Sequence, residues 1–265
     1  MKHIILVLSF LTLLLFPSYT FAAIAFDAVS TLKTGNDIQT TAQTVAHTAV
    51  AESIVIVVIT SNQYDTSDAI NTVTYDGAAM TQQAFSVDGV GYATYIFYIL
   101  APTTGSSVNC VVTGTVKLYS AEISVLSYTG ANSSSQPDST GTATDASAEA
   151  TEAVATTVVE SDTWLVGGWK LQQDGAPSGD VVFDNTVNNG TNRGLTTRSS
   201  AAGDSAGTVA TGAQSLQWTV TTGYTGAGAV VSLKAAAAPS DTYQERQNII
   251  WDEARHIKHE DIFVV

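Results

Sequence analysis

The sequence predicts an all-β protein, either a sandwich or a barrel, with one short α-helix at the C-terminus. Short apolar runs rich in Val, Ile and Tyr recur along the body, and turn residues (Gly, Asn and Ser) separate them at intervals typical of such folds. No stretch before residue 240 has the apolar period of an amphipathic helix.

The N-terminus has the pattern of an export signal. The cationic residue Lys2 precedes an apolar run over residues 4–16, and small residues follow as far as Ala22. Together these regions form a secretory signal peptide, and the apolar run is shorter than the roughly 20 residues that cross a bilayer. We expect cleavage after Ala22, with Ala25 as the alternative site; an uncleaved N-terminal anchor is the alternative interpretation. The mature protein is then secreted or held at the cell surface, without a transmembrane segment.

The body contains a succession of predicted strands. Residues 53–60 form a continuous β-branched run, as expected of a strand that is buried on both faces. Asp76-Gly77 separates two short strands, and both residues accept the positive φ angles of a type I′ hairpin turn. Further strands are predicted at residues 92–100, 108–112, 118–128, 153–159, 163–171, 181–183, 216–220 and 227–233.

Two segments of low complexity interrupt this pattern. Residues 130–150 are rich in Ser, Thr and Ala and are predicted as a long surface loop, and residues 185–212 as long loops with short edge strands. Either segment is alternatively a linker between two small domains. Because the strands on both sides share one composition, we predict a single β-sandwich domain over residues 23–238.

The C-terminal tail, residues 239–265, differs from the body in kind. It is richer in charged residues, and Asp241 gives a helix-start signal. Tyr243, Gln247 and Ile250 then fall on one stripe at helical spacing. We predict an amphipathic helix that docks on its own domain or pairs with another protein.

Charge and cysteine content exclude some classes of function. The formal net charge of −14 disfavours binding to nucleic acids, because an acidic surface repels phosphates. Cys110 is the single cysteine, so the chain forms no internal disulfide. It alternates with Val108 and Val112 and is predicted to be buried as a small apolar residue.

Several motifs of the body occur together in one protein family. Residues 73–81 are similar to a "VTYNGVAMT" hairpin, and residues 95–100 and 102–114 are similar to the tyrosine-rich strand and the hairpin that follow it. Residues 121–130 resemble an "A-x-x-x-S-Y-x-G" motif, and residues 218–234 resemble the final motif, which ends in "AGAVVSLK". The family consists of uncharacterised modules of secreted bacterial proteins and phage-associated proteins.

This resemblance covers about residues 25–234. It implies a two-sheet antiparallel β-sandwich with jelly-roll-like connectivity and no known activity. It implies no catalytic residues, and the tail has no place in the pattern.

Aromatic residues are the candidate ligand-binding groups, because sugar-binding sandwiches stack exposed rings on sugars. Trp164 and Trp169 lie five positions apart in one strand and therefore face opposite sides. One of them then leaves the core, unless a bulge re-aims it. Tyr95 faces the side opposite to Tyr92 and Tyr98. The alternative for each ring is packing in the core.

Candidate metal ligands are few. Asp65 and Asp68 in one short loop are candidate oxygen ligands for Ca²⁺, and they are equally suited to forming the turn itself. In the tail, Glu253, His256 and His259 share a helical spacing of three. A solvated charged face is the alternative for those three residues.

The sequence contains only weak catalytic patterns. Glu122 is the best candidate acid, but no second acid lies two or four residues away on its strand, as paired-carboxylate catalysis in jelly-roll glycosidases would favour. His47 is the one histidine of the body and no G-x-S-x-G motif is present, which argues against a serine hydrolase.

These patterns favour an exported, non-enzymatic binding or structural module at the cell surface, in a matrix or on a virion. Carbohydrate binding, with glycans as partners, is its most specific form, and self-association through edge strands or the tail is another. The alternative is a secreted polysaccharide-active enzyme of jelly-roll type, which requires two acids in one groove.

Overall fold

Antiparallel β-strands form the whole body of the chain. The computed structural model describes residues 23–34, 42–63, 66–115, 118–146, 151–172, 181–183, 190–194, 199–220 and 224–237. Every strand pairing within these ranges is antiparallel, so the all-β prediction is confirmed. The predicted signal peptide, residues 1–22, and the predicted helix of the tail lie outside the described residues.

The strands are numbered in chain order. They are β1 Ala25–Thr34, β2 Gln43–His47, β3 Ser53–Gln63, β4 Ile70–Tyr75, β5 Ala78–Ala79, β6 Thr81–Val87, β7 Tyr92–Leu100, β8 Val108–Gly114, β9 Leu118–Thr129, β10 Ser139–Asp145, β11 Thr151–Val158, β12 Trp164–Leu171, β13 Val181–Phe183, β14 Thr191–Asn192, β15 Ser200–Asp204, β16 Gly212–Val220 and β17 Gly226–Leu233.

These strands form four sheets. Sheet 1 has the order β2-β8-β4-β5 and sheet 2 the order β1-β9-β3-β7-β6. Sheet 3 has the order β10-β17-β12-β15-β14 and sheet 4 the order β11-β16-β13. The apolar clusters between them show that the sheets stack in the order 1, 2, 3, 4.

Strand β3 explains why the inner sheets are apolar on both faces. Val55, Val57 and Ile59 pack in the core shared with sheet 1, while the alternate residues Ile56 and Val58 pack in the core shared with sheet 3. Successive side chains of a strand point to opposite faces, so a strand between two cores needs an unbroken apolar run. The prediction from residues 53–60 is therefore confirmed.

Each half of the body is a jelly roll. In the first half β1-β9-β3-β7 faces β2-β8-β4-β5, which is the strand order of an eight-stranded jelly roll, and β6 extends the larger sheet. In the second half β10-β17-β12-β15 faces β11-β16-β13, and the order repeats. The predicted jelly-roll-like sandwich thus occurs twice, as four sheets in place of two, within one compact unit over residues 22–236.

Glycines on β17 make room for a core tryptophan. A Cβ atom on Gly228 would lie 2.1 Å from Cε3 of Trp169, and one on Gly226 would lie 2.8 Å from its Nε1. Real Cβ contacts are never this short, so the indole of Trp169 fills the space that these two glycines leave. This packing explains the glycines of the segment that precedes Val230.

The loop prediction for residues 130–150 is wrong over residues 139–145. Strand β10 pairs along its whole length with β17. Its residues are Ser, Thr, Gly, Ala and one Asp, and the pattern lacks the large apolar residues by which a buried strand is recognised. At Gly141 a larger residue does not fit, because a Cβ atom there would lie only 1.9 Å from the carbonyl oxygen of Ala155. Likewise, the segment 185–212 contributes β15, which lies inside sheet 3 between β12 and β14.

Candidate functional site

The three aromatic residues predicted to bind a ligand lie in apolar cores. Trp164 is 8% exposed and packs between sheets 2 and 3, while Trp169 is fully buried between sheets 3 and 4. The two tryptophans do face opposite sides of β12, as predicted. Because sheet 3 is covered on both faces, each side is a core, and neither ring is open to solvent.

Tyr95 is also fully buried, in the core between sheets 1 and 2. Its ring stacks on Phe85 with 4.7 Å between the centroids. Its hydroxyl donates to Oε1 of Gln63 at 2.5 Å and accepts from the backbone N–H of Ala69 at 3.0 Å. The polar end of this tyrosine is thus satisfied inside the protein, and its role here is packing.

Asp68 has the local contacts of a turn residue. Its Oδ1 accepts from the backbone N–H of Ile70 at 3.1 Å, and its Oδ2 accepts from the side-chain amide of Gln82 at 2.8 Å. Asp65 lies outside the described residues. Among the residues that the structure does describe, no three His, Cys, Asp or Glu side chains are grouped so as to hold a metal ion. The calcium site stays a prediction.

Glu122 is buried rather than solvated. It is 5% exposed and alternates on β9 with Ile123 and Val125, which face sheet 1, so Glu122 points toward the side of sheet 3. Its carboxylate lies 3.5 Å from Nζ of Lys33 on the neighbouring strand β1. This ion pair joins β1 to β9 on the face of sheet 2 that is directed toward sheet 3.

A chain of polar contacts surrounds His47. Its Nδ1 lies 3.1 Å from Oγ of Ser30, and its Nε2 lies 3.2 Å from Oγ of Ser127. Ser127 in turn donates to Oδ2 of Asp27 at 2.7 Å. Because the hydroxyl hydrogen of Ser127 is used on Asp27, its oxygen accepts from Nε2–H of the histidine, and Nδ1 accepts from Ser30.

The surroundings of His47 favour a neutral imidazole. Burial lowers the pKa of His47, and the negative charge of Asp27 opposes that shift only in part. The order of contacts differs from a catalytic triad, in which the carboxylate orients the histidine directly. Here the carboxylate contacts Ser127 and the backbone N–H of Val50. The arrangement therefore cross-links β1 and β9 of sheet 2 to β2 of sheet 1.

A cleft of about 640 Å³ opens where the two jelly rolls join. Most of its wall comes from three segments: the turn before β3, the turn after β7, and the connection that follows β9 at Gly130; Ala23 and Ala236 complete the lining. The polar lining residues are Glu52, Ser53, Thr104, Thr129, Asn132 and Ser133, and the apolar lining includes Ile54, Leu100 and Pro102.

Two of the six non-glycine residues with left-handed backbones in the described chain line this cleft. Glu52 and Ala101 both have left-handed backbones, with φ angles of 59° and 47°, although neither is a glycine. Gly130, on the third wall, has a φ angle of 70°. Left-handed non-glycine residues cost about 1–2 kcal/mol each and tend to cluster at ligand sites, where the surrounding structure enforces them.

Hydrogen bonds hold the walls of the cleft in place. The backbone N–H of Ala236 donates to the carbonyl of Gly130 at 2.8 Å, and that of Asn132 donates to the carbonyl of Lys234 at 2.9 Å. Ser53 Oγ donates to the carbonyl of Val50 at 2.5 Å. The rim is thus preorganised by contacts between the connection that follows β9 and the segment that follows β17.

No sequence signal pointed to this cleft. Its polar residues are common in turns, and they come from three segments that are distant in the chain. A left-handed turn is recognised in a sequence by glycine or asparagine, and Glu52 and Ala101 give no such sign.

Comparison of the chain with models of protein families, with curated proteins and with solved structures finds no match. Among the residues that the structure describes, no helix is long and apolar enough to cross a membrane.

Proposed function

We propose that the chain is an exported, non-enzymatic binding module, and that its ligand is a neutral saccharide held in the cleft beside the connection between the two jelly rolls. The observation that carries this proposal is the set of left-handed residues, Glu52, Ala101 and Gly130, that meet around one preformed cleft. Its volume lies within the range of roughly 300–1,000 Å³ typical of small-molecule sites.

The side chains that line the cleft indicate the chemical class of the ligand. A carboxylate, an amide and several hydroxyls offer both donors and acceptors, which suits the hydroxyls of a sugar. Leu100 and Pro102 provide apolar surface for the C–H groups of its ring. Glu52 and the acidic net charge disfavour an anionic ligand. Since the rings of Trp164, Trp169 and Tyr95 are buried, binding depends on hydrogen bonds rather than on stacking.

Export to the cell surface, a matrix or a virion is part of the same proposal. It is supported by the signal-peptide pattern of residues 1–22 and by the resemblance to modules of secreted and phage-associated proteins. N-terminal sequencing of the protein recovered outside the cytosol is expected to begin at Ala23. An unprocessed chain that stays in the cytosol would contradict export.

A glycan array followed by calorimetry tests the ligand. We expect binding of one or more neutral glycans, lost or weakened on the order of tenfold in Glu52→Gln, which replaces a charged acceptor by a neutral amide, and in Ser133→Ala, which removes a hydroxyl from the cleft. Glu160→Gln is the matched control, since Glu160 is an exposed acid outside the cleft lining. The absence of glycan binding, or equal binding by all four proteins, would refute the proposal.

A further inference from the structure

Strand β1 presents a long unpaired edge. It is the terminal strand of sheet 2, and within the described residues it pairs with β9 on one side and with no strand on the other. With 10 residues it is longer than each of the other terminal strands, β2, β5, β6, β10, β11, β13 and β14. An unpaired edge is a template for another strand, because its outward N–H and C=O groups lack partners in the sheet.

The terminal strand at the other side of the same sheet, β6, packs its face against the second jelly roll, where Ser86 Oγ donates to the carbonyl of Ala143 in β10 at 2.8 Å. By contrast, Val29 at the middle of β1 is 37% exposed, and it is one of four large apolar residues that are exposed in the described chain. Among the described residues, β1 therefore combines an unpaired edge with an exposed apolar side chain at its middle.

A bulge and charged side chains protect an edge strand against pairing with another chain, and in β1 they occur only near its ends. Asp27 lies at a bulge between Phe26 and Ala28, and its carboxylate binds Ser127 and Val50 of its own chain. Lys33 lies near the other end and pairs with Glu122. Residues 28–32 between them carry no charge, whereas the chain as a whole has a net charge of −14. Copies of an acidic protein approach each other most easily at such a neutral stretch.

We infer that β1 pairs with β1 of a second copy of the chain, antiparallel about a two-fold axis. An edge strand is self-complementary in this arrangement, since residue i of one copy contacts residue j of the other, and residue j of the first contacts residue i of the second. The pairing joins the neutral residues 28–32 of the two copies, while the carboxylate of Asp27 and the ammonium of Lys33 keep their partners within each copy. Sheet 2 then continues from one copy into the other.

Light scattering of the full chain tests this inference. We expect the mass to rise from one copy toward two at protein concentrations up to about 0.1 mM, because a single strand pair buries little surface and binds weakly. Val29→Lys adds one cation to each copy, so two cations meet where the strands pair. It is expected to weaken dimerisation on the order of tenfold. Thr31→Lys, on the same exposed side of β1, is a second variant with the same expected result.

The control is Val159→Lys. Val159 is also an exposed valine, 65% accessible, and it lies after β11, away from the β1 edge. This variant is expected to dimerise as the natural chain does. A natural chain that stays monomeric throughout the range, or a folded Val29→Lys or Thr31→Lys variant that dimerises unchanged, would overturn the inference. Neither result bears on glycan binding, because the cleft lies apart from Val29 and Thr31.

Discussion

The hydroxyl of Tyr128 donates a hydrogen bond of 3.0 Å to Oδ2 of Asp204, and this bond joins the first jelly roll to the second. Both side chains are fully buried. The same carboxylate oxygen accepts from Nε of Arg193 at 3.0 Å, and the guanidinium of Arg193 lies 4.3 Å from the ring centroid of Phe26 on β1. A single carboxylate thus connects residues of both halves at their shared interface.

Removal of the Tyr128 hydroxyl tests this connection. In Tyr128→Phe the buried carboxylate of Asp204 loses one of its donors, and we expect the free energy of unfolding to fall by about 1–3 kcal/mol. Urea denaturation monitored by tryptophan fluorescence measures the change. Tyr98→Phe serves as the control, because Tyr98 packs against the same core and is only partly buried. Equal effects of the two substitutions would show that the Tyr128–Asp204 bond contributes nothing specific.

Protonation of His47 is expected to destabilise the protein in mild acid. Since burial lowers the pKa of His47 in the folded state, the unfolded chain binds a proton more readily. Stability is therefore retained above the unfolded pKa of about 6.5 and declines as the pH falls below it toward the folded pKa. Denaturant titrations of the natural chain and of His47→Gln at several pH values between about 7.5 and 5 measure this effect. The natural chain is expected to lose more stability than the variant over that range, and parallel pH profiles would contradict the assignment.

Gly228 is expected to tolerate no larger residue. In Gly228→Ala the new methyl group would collide with the ring of Trp169 and with Cγ2 of Val154, 2.6 Å away. Overpacking of this kind costs about 1–3 kcal/mol, which thermal denaturation detects as a lower Tm. Gly207→Ala is the matched control, because a Cβ there meets nothing within 4 Å. If Gly228→Ala melts at the same temperature as Gly207→Ala, the packing of Trp169 differs from that described.

Cys110 is expected to be unreactive in the native protein. It is fully buried, which confirms the prediction made from its alternation with valines, and burial raises the pKa of its thiol to about 12. The thiolate is the reactive form, so alkylation by iodoacetamide at neutral pH requires unfolding. Mass spectrometry before and after denaturation gives the result, and rapid labelling of the folded chain would contradict the buried position.

Much of the fold is readable from residue patterns. The turn at Asp76-Gly77 has φ angles of 51° and 77°, as its sequence predicts, and the strand at residues 92–100 has the predicted bounds. These predictions succeed because turn geometry and strand alternation depend on neighbouring residues. Strand β10 was not predicted because its residues are small. The reason for the small residue at Gly141 is the backbone of Ala155, which belongs to another strand, β11.

The sequence by itself determined the all-β class, the alternation that buries Cys110 and the opposite directions of Trp164 and Trp169. Only the tertiary structure decided that both tryptophans are buried, because the second core that covers sheet 3 is built by strands of the other half. It alone also brought Glu52, Ala101 and Gly130 around one cleft. Local patterns fix which face of a strand a side chain occupies, whereas the contents of the space beyond that face depend on segments far away in the chain.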